Sequence, residues 1–187
     1  MAYQFTRIVV KIGSNVLARK DGTPDVTRMS ALVDQIAELH KAGVEVILIS
    51  SGAVASGRSE IKPSKKLDSV DQRQLFSAVG QAKLINRYYE LFREYGITVG
   101  QVLTTKESFA TRRHYLNQRN CMMVMLENGV IPIVNENDTI SVTELMFSCA
   151  HQSHRECHAS PNVTMKLATG KQIGTCTVRI LLIGIIK

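Results

Sequence analysis

The sequence predicts an α/β fold, a three-layer sandwich with helices on both faces of a mostly parallel sheet. Short apolar runs alternate with longer helix-forming segments, and glycines mark most of the turns between them. This alternation is typical of parallel β-α-β units. The chain has 187 residues, 44% of them hydrophobic, so it is long enough to bury the core of one domain.

Four segments have the composition of buried strands. Each is short and rich in Val, Ile or Leu, the pattern of strands that are covered on both faces. Pro132 stands near the start of the fourth segment, where its missing N–H matters least. The predicted strands are residues 7–12, 44–50, 97–103 and 130–134.

The clearest helix covers residues 27–42, because its apolar residues recur at three- and four-residue spacing. Gly43 follows it, at the position of a C-terminal cap. The apolar face consists of Met29, Leu32, Val33, Ile36 and Leu39.

Two further helices complete the alternation. Residues 69–72 have the spacing of a capping box and open a helix that runs to about residue 95, where Gly96 ends it. A third helix covers residues 112–127 and is capped by residues 128–129.

Composition and charge narrow the class of protein. No apolar run reaches the roughly 18 residues needed to cross a bilayer, and the first residues lack a signal-peptide core, which predicts a cytoplasmic protein. The net charge is +7, but residues 148–187 supply +4 of it (five basic residues less Glu156). In the rest of the chain basic and acidic residues are interspersed, which is typical of a solvated surface and does not require an anionic partner. Reduced thiols are expected at the four cysteines, Cys121, Cys149, Cys157 and Cys176.

Polar clusters lie at the ends of three of the predicted strands. They are residues 11–14, 51–53 and 135–138. Because ligands of open parallel sheets bind beyond the carboxyl ends of the strands, we expect the three clusters at one edge of the sheet.

Lys11 lies inside an otherwise apolar strand. A buried ammonium group needs an anionic partner, and a bound phosphate is one candidate. Gly13 and Ser14 would offer backbone N–H groups to the same anion. The alternative is a lysine whose stem reaches out to solvent.

The other two clusters suit an amino acid or a phosphate. Ser51, Gly52 and Ala53 offer a hydroxyl, backbone donors and a helix start, which fit a carboxylate or phosphate; the alternative is a plain N-cap turn. Asn135 and Asp138 could grip an ammonium group or order the neighbouring backbone, and an ordinary Asx-rich turn is the alternative.

Four strings carry a family resemblance. They are residues 9–17 (VVKIGSNVL), 49–57 (ISSGAVASG), 78–81 (AVGQ) and 134–139 (VNENDT), and in order and spacing they resemble glutamate 5-kinases. The resemblance runs from about residue 7 to residue 147. Acetylglutamate kinase, aspartokinase and UMP kinase, which share the amino acid kinase fold, look different at these loops. No Walker A loop or Gly-rich dinucleotide motif is present, so ATP would need another phosphate-binding scheme.

The resemblance implies transfer of the γ-phosphoryl group of ATP, with Mg²⁺, to the side-chain carboxylate of L-glutamate, the first step of proline synthesis. By resemblance, Lys11 is the catalytic residue, and Lys11, Gly13 and Ser14 bind the phosphates. The residues that would hold glutamate are Ser51, Gly52, Ala53, Asn135 and Asp138. No residue is assigned as a metal ligand.

The resemblance also implies partners. Members of the family form homo-oligomers and respond to proline as a feedback inhibitor. Neither a membrane nor a nucleic acid is expected as a partner; a basic nucleic-acid-binding module is the weaker hypothesis, because no stacking-aromatic pattern accompanies the positive charge.

The resemblance ends after Phe147, which divides the chain into a glutamate-binding part, residues 1–147, and a divergent or truncated remnant of the nucleotide-binding part, residues 148–187. The family would continue with an Asp-Asn-Asp-type segment, but residues 148–158 contain none of those acids. A frameshift or an internal deletion could produce this tail. In the second case Lys166 resembles an ATP-phosphate lysine, and residues 178–184 a late strand.

Two hypotheses follow from the divergent tail. The chain is either a kinase, with a fold incomplete in its C-terminal half and impaired activity, or a non-catalytic remnant that binds glutamate or an effector. A zinc site is disfavoured, because the candidate ligands fit no standard spacing. Those candidates are Cys149, His151, His154, Cys157 and His158.

Overall fold

Four parallel strands and one antiparallel edge strand form the central sheet. The computed structural model describes residues 6–19, 23–105, 107–141 and 179–181. The strands are β1 (Arg7–Ile12), β2 (Glu45–Ser50), β3 (Val99–Thr104), β4 (Ile131–Glu136) and β5 (Arg179–Leu181). Their order in the sheet is β3-β4-β2-β1-β5, and β5 pairs with β1 in the antiparallel sense.

The helices connect the parallel strands. They are α1 (Ser14–Leu17), α2 (Val26–Lys41), α3 (Ala53–Arg58), α4 (Ser69–Arg93), α5 (Glu107–Ala110) and α6 (Arg112–Glu127). The three predicted long helices are confirmed as α2, α4 and α6, with ends within two residues of the prediction. The sequence did not indicate α1 and α5, because a helix of four residues is too short to show a period.

Helix ends follow the glycine predictions but not the capping-box prediction. Gly43, Gly96 and Gly129 follow α2, α4 and α6 with φ of +84°, +69° and +69°, so each glycine ends its helix in the left-handed region. The N-cap of α4 is Asp68 rather than Ser69, because the Asp68 carboxylate accepts hydrogen bonds from the backbone of the first turn.

Helices cover both faces of the sheet, as predicted. Helices α2 and α4 pack on one face, where Val99 of β3 contacts the same core. The next residue, Gly100, points to the other face, and there a Cβ would lie 2.4 Å from the methyl carbon of Met125 in α6. Since successive residues of a strand face opposite sides, α6 lies on the opposite face from α2 and α4.

Helix α3 packs against α4 at two glycines. A Cβ on Gly57 would lie 1.9 Å from the carbonyl oxygen of Phe76. A Cβ on Gly80 would lie 1.8 Å from the carbonyl oxygen of Ala53. The two backbones are therefore in direct contact, and this contact fixes where the chain lies as it leaves β2.

Gly80→Ala should destabilise the fold. The new methyl group can only be accommodated if α3 moves away from α4, and overpacking of this kind costs about 1–3 kcal/mol. Urea unfolding of the full chain measures the loss of free energy.

Gly13→Ala is the matched control, because within the described part of the chain no atom beyond the two adjacent residues lies within 4 Å of an added Cβ at Gly13, and its φ is −74°. Equal stability of the two variants would show that the helices do not meet as described.

Candidate active site

A cavity of about 630 Å³ opens at the carboxyl ends of β1, β2 and β4. The three polar clusters predicted from the sequence meet in it. Its lining includes Lys11, Ser14, Ser51, Gly52, Ala53, Asn135 and Asp138. Gly13 lies between two of these residues in sequence, at the N-cap of α1, without lining the cavity itself. Lys166 lies outside the described residues.

Lys11 stands at the floor of the cavity. It is the fifth residue of β1, pairs in register with Ile49 of β2, and is half-buried. The buried side chains of Val10 and Ile12 on either side fix the strand, so the lysine is held by the sheet rather than by a loop. Its position is therefore set by a rigid element.

The chain leaves β2 through a turn that only glycine accommodates well. The backbone N–H of Ser51 donates to the carbonyl oxygen of Ile12 at 3.2 Å, which continues the β1–β2 pairing by one step. Gly52 then adopts a φ of +116°, a conformation that residues with a Cβ rarely take. Helix α3 begins directly afterwards at Ala53, so the first N–H groups of the helix lie at the cavity.

The end of β4 and the segment after it are fixed by side-chain contacts to α4. Asn135, 5% exposed, donates from Nδ2 to Oε1 of Gln81 at 2.6 Å. The carboxylate of Asp138, a residue only 9% exposed, accepts from Arg73 through Nη2 at 2.6 Å and Nε at 3.1 Å. Oε2 of Glu136 lies 3.8 Å from the same Nη2. An ion pair therefore fixes the Asp138 carboxylate at the cavity wall.

A buried hydroxyl pair supports the end of β2. Ser50 Oγ and Tyr88 OH lie 2.9 Å apart, and both residues are almost fully buried. Burial raises the pKa of the Tyr88 phenol to about 12, and the hydrogen bond to Ser50 offsets part of that shift. The phenol is therefore neutral at physiological pH.

Sequence reasoning missed the residues of α4 that support the site. Arg73, Gln81 and Tyr88 are separated from their partners by 65, 54 and 38 residues. Gln81 was part of the 78–81 string that carries the resemblance, which was the one available signal for it. Arg73 and Tyr88 had no sequence signal beyond helix formation.

The cavity presents charges of both signs. Lys11, Arg58 and Arg73 supply cations, and Glu136 and Asp138 supply carboxylates. A cavity with both signs suits a zwitterion or an anion that carries an ammonium group, rather than an apolar ligand.

Comparison with known proteins agrees with this geometry. Residues 6–152 match the amino acid kinase family, which is more than half of the chain. The chain belongs to the amino acid kinase family.

Curated relatives within the amino acid kinase family are similar over the same segment. Glutamate 5-kinase of Bacteroides thetaiotaomicron is 86% identical over 148 residues, 79% of this chain and 41% of that protein. Glutamate 5-kinase of Chlorobaculum tepidum is 47% identical over 144 residues, 77% of this chain and 40% of that protein. Glutamate 5-kinase 2 of Bacillus subtilis is 43% identical over 141 residues, 75% of this chain and 38% of that protein. The chain thus spans about two fifths of the length of these relatives.

Two further observations concern metals and membranes. The described residues hold no group of three or more His, Cys, Asp or Glu side chains that could bind a metal ion, and the candidate zinc ligands at 149–158 lie outside them. In the part of the chain that the structure describes, every helix is too short or too polar to cross a membrane. Cys121 is an exposed free thiol, and the other cysteines lie outside the described residues.

Tyr88→Phe should reduce the loss of stability at alkaline pH. The folded-state pKa of about 12 exceeds the ordinary value of 10.0, so the unfolded chain releases the proton first. The contribution of the Tyr88 phenol to the free energy of unfolding is therefore fully present below pH 10 and is lost between about pH 10 and 12. At pH 11 the loss is about 1 kcal/mol. Urea unfolding at intervals from pH 8 to 11 measures the slope.

Tyr89→Phe serves as the control on the same helix, because Tyr89 is 49% exposed. The control should keep the alkaline slope of the wild-type chain. An unchanged slope in Tyr88→Phe would contradict the assignment to the buried phenol.

Proposed function

We propose that the cavity binds L-glutamate and that the chain transfers the γ-phosphoryl group of ATP to the glutamate side chain. The observation that carries the proposal is the meeting of Lys11, Ser51 and Asp138 in one cavity. A lysine in a rigid strand then faces a phosphoryl group beside a pocket with charges of both signs. The names of the similar glutamate 5-kinases support the same substrates.

The chemistry needs charge neutralisation more than proton transfer. An oxygen of the glutamate γ-carboxylate forms a bond to the γ-phosphorus as the bond to the β–γ bridging oxygen breaks, and ADP leaves with that electron pair. A carboxylate carries no proton to remove, so no general base is required. Lys11 would offset the negative charge on the transferring group, which suits a loose phosphoryl transition state.

Phosphate contacts would come from the backbone beside Lys11. Gly13 and Ser14 would line the path of the phosphoryl group, and Lys166 is the remaining phosphate-binding candidate. Mg²⁺ would enter with the nucleotide, because in such sites it is held by substrate phosphates, several waters and one or two carboxylates. The metal would neutralise phosphate charge.

Glutamate would be held through its α-carboxylate and its α-ammonium group. Ser51 and the backbone at Gly52 and Ala53 offer donors to a carboxylate. Asp138 offers its carboxylate to the ammonium group, and Asn135 holds the adjoining turn. Positioning of the acceptor carboxylate next to Lys11 would supply much of the rate enhancement.

The rest of the proposal extends the relatives' names to this chain. Residues 1–147 would form the glutamate-binding part and residues 148–187 a divergent remnant of the nucleotide-binding part. The reaction would be the first step of proline synthesis in the cytoplasm, with proline as a feedback inhibitor and a homo-oligomer as the working unit.

A second candidate is a non-catalytic protein that binds glutamate or an effector. It is favoured by one observation, the lack of Asp-Asn-Asp-type acids in residues 148–158. Binding of L-glutamate without glutamate-dependent release of ADP would select this candidate over the kinase.

Lys11→Ala should abolish glutamate-dependent ADP release by the full chain. The loss of one well-placed cation should reduce kcat about 100-fold or more. A coupled assay with ATP, Mg²⁺ and L-glutamate measures the rate, and urea unfolding checks that the fold is kept.

Lys41→Ala is the matched control, because Lys41 is an exposed lysine that lies over the ring of Tyr95, 4.8 Å from its centroid. The control should keep the wild-type rate. Near-normal turnover in Lys11→Ala would rule out the assignment of Lys11.

Gly13→Ala should weaken ATP binding without weakening the fold. Gly13 has an ordinary backbone conformation, and among the described residues beyond its two neighbours none comes within 4 Å of an added Cβ, so the methyl group would meet the incoming phosphate. Titration calorimetry with ATP·Mg²⁺ should show about a tenfold rise in Kd, as expected if backbone donors at this turn lose close contact with a phosphate. An unchanged Kd would remove Gly13 from the phosphate site.

A further inference from the structure

Arg73 holds the Asp138 carboxylate by one oxygen only. It lies in the second turn of α4 and reaches a residue 65 positions away in the chain. Both of its hydrogen bonds to Asp138 end on Oδ1, from Nη2 at 2.6 Å and from Nε at 3.1 Å. Among the described residues, Oδ2 of Asp138 receives no hydrogen bond, so it remains able to accept one from a ligand.

The Arg73–Asp138 pair also separates two cavities. The main cavity of about 630 Å³ and a smaller one of about 240 Å³ are both lined by Ser69, Arg73 and Asp138. The Arg73–Asp138 pair therefore holds the Asp138 carboxylate at the boundary of the two cavities.

Neighbouring contacts hold the Arg73–Asp138 pair in place. Gln74, next to Arg73, donates from Nε2 to the carbonyl oxygen of Thr139 at 3.0 Å. Glu136 lies 3.8 Å from Arg73 Nη2 and adds a second carboxylate on the same cation. The first turns of α4 therefore contact the chain on both sides of Asp138, at Glu136 and at Thr139.

We propose that Arg73 is a positioning residue that sets the selectivity of the cavity for a ligand with an ammonium group. It fixes Asp138 through Oδ1 and leaves Oδ2 directed to the ligand. This proposal rests on the proposed function, because it takes L-glutamate as the ligand. It assigns to Arg73 no contact with the reacting atoms.

Two other roles of Arg73 make different predictions. If Arg73 bound a ligand carboxylate directly, its loss would weaken every dicarboxylate, with or without an ammonium group. If it acted only through its charge, its loss would weaken glutarate, a dianion, more than glutamate, whose net charge is −1. Only the positioning role weakens glutamate more than glutarate.

The test compares the Kd of L-glutamate with the Kd of glutarate, its analogue without the ammonium group, by titration calorimetry on the full chain. Arg73→Met should reduce the preference for glutamate about tenfold, since a hydrogen bond to a charged group is worth about 1.5–3 kcal/mol. Arg73→Lys keeps the charge and can donate to one oxygen, so it should restore part of the preference.

A double-mutant cycle shows whether Arg73 acts through Asp138. Asp138→Asn should lower the preference by itself, and Arg73→Met should then have no further effect. Arg87→Met is the matched control, because Arg87 also lies on α4 but pairs with Glu90 at the surface. It should leave both Kd values unchanged.

Each outcome decides the proposal. An unchanged preference in Arg73→Met and in Arg73→Lys, or a preference that rises, would overturn it. Additive effects in the double mutant would also overturn it. A wild-type chain that fails to bind L-glutamate would instead overturn the proposed function and, with it, this role of Arg73. Should Arg73→Met fail to fold, the comparison of Arg73→Lys with the wild-type chain decides the question.

Discussion

The candidate site depends on the contacts that α4 makes with α3, with the end of β2 and with the end of β4 and the segment after it. Gly80 lets the backbone of α3 touch α4, which places the turn after β2. Gln81 binds Asn135 near the end of β4, and Tyr88 binds Ser50 at the end of β2. Arg73 binds Asp138. Because a 25-residue helix is rigid, loops that are far apart in the chain keep a fixed geometry.

These four positions of α4 form one stripe of the helix. Gly80 and Gln81 are adjacent, and both lie seven or eight residues, about two helical turns, from Arg73 on one side and from Tyr88 on the other. The stripe is mixed in chemistry: a guanidinium, a glycine, an amide and a phenol. The guanidinium pairs with a carboxylate, and the glycine allows the backbone of α3 to approach closely. The amide and the phenol form hydrogen bonds with buried polar side chains. A single helix face thus carries both the packing and the polar support of the cavity.

The arrangement also explains how charges are tolerated at a sheet edge. Asp138 is 9% exposed, and Arg73 compensates its charge through a two-donor contact. Ser50 and Asn135 lie buried near the ends of β2 and β4, and each is hydrogen-bonded to a residue of α4. The apolar core under α2 and α4 adjoins the cavity: Ala53 belongs to both, and Tyr88 of the core holds Ser50 of the cavity lining.

The sequence by itself determined the strands, the long helices, the glycine-ended turns and the three polar clusters. These features are local, because the period of apolar residues and the backbone freedom of glycine are read within a few residues. The parallel order of the strands then placed the clusters at one edge. Only the tertiary structure decided that Asp68 caps α4 and that Arg73, Gln81 and Tyr88 support the site. Their partners lie 38 to 65 residues away, and such pairing depends on the rotation of α4 against the sheet, which no local pattern encodes.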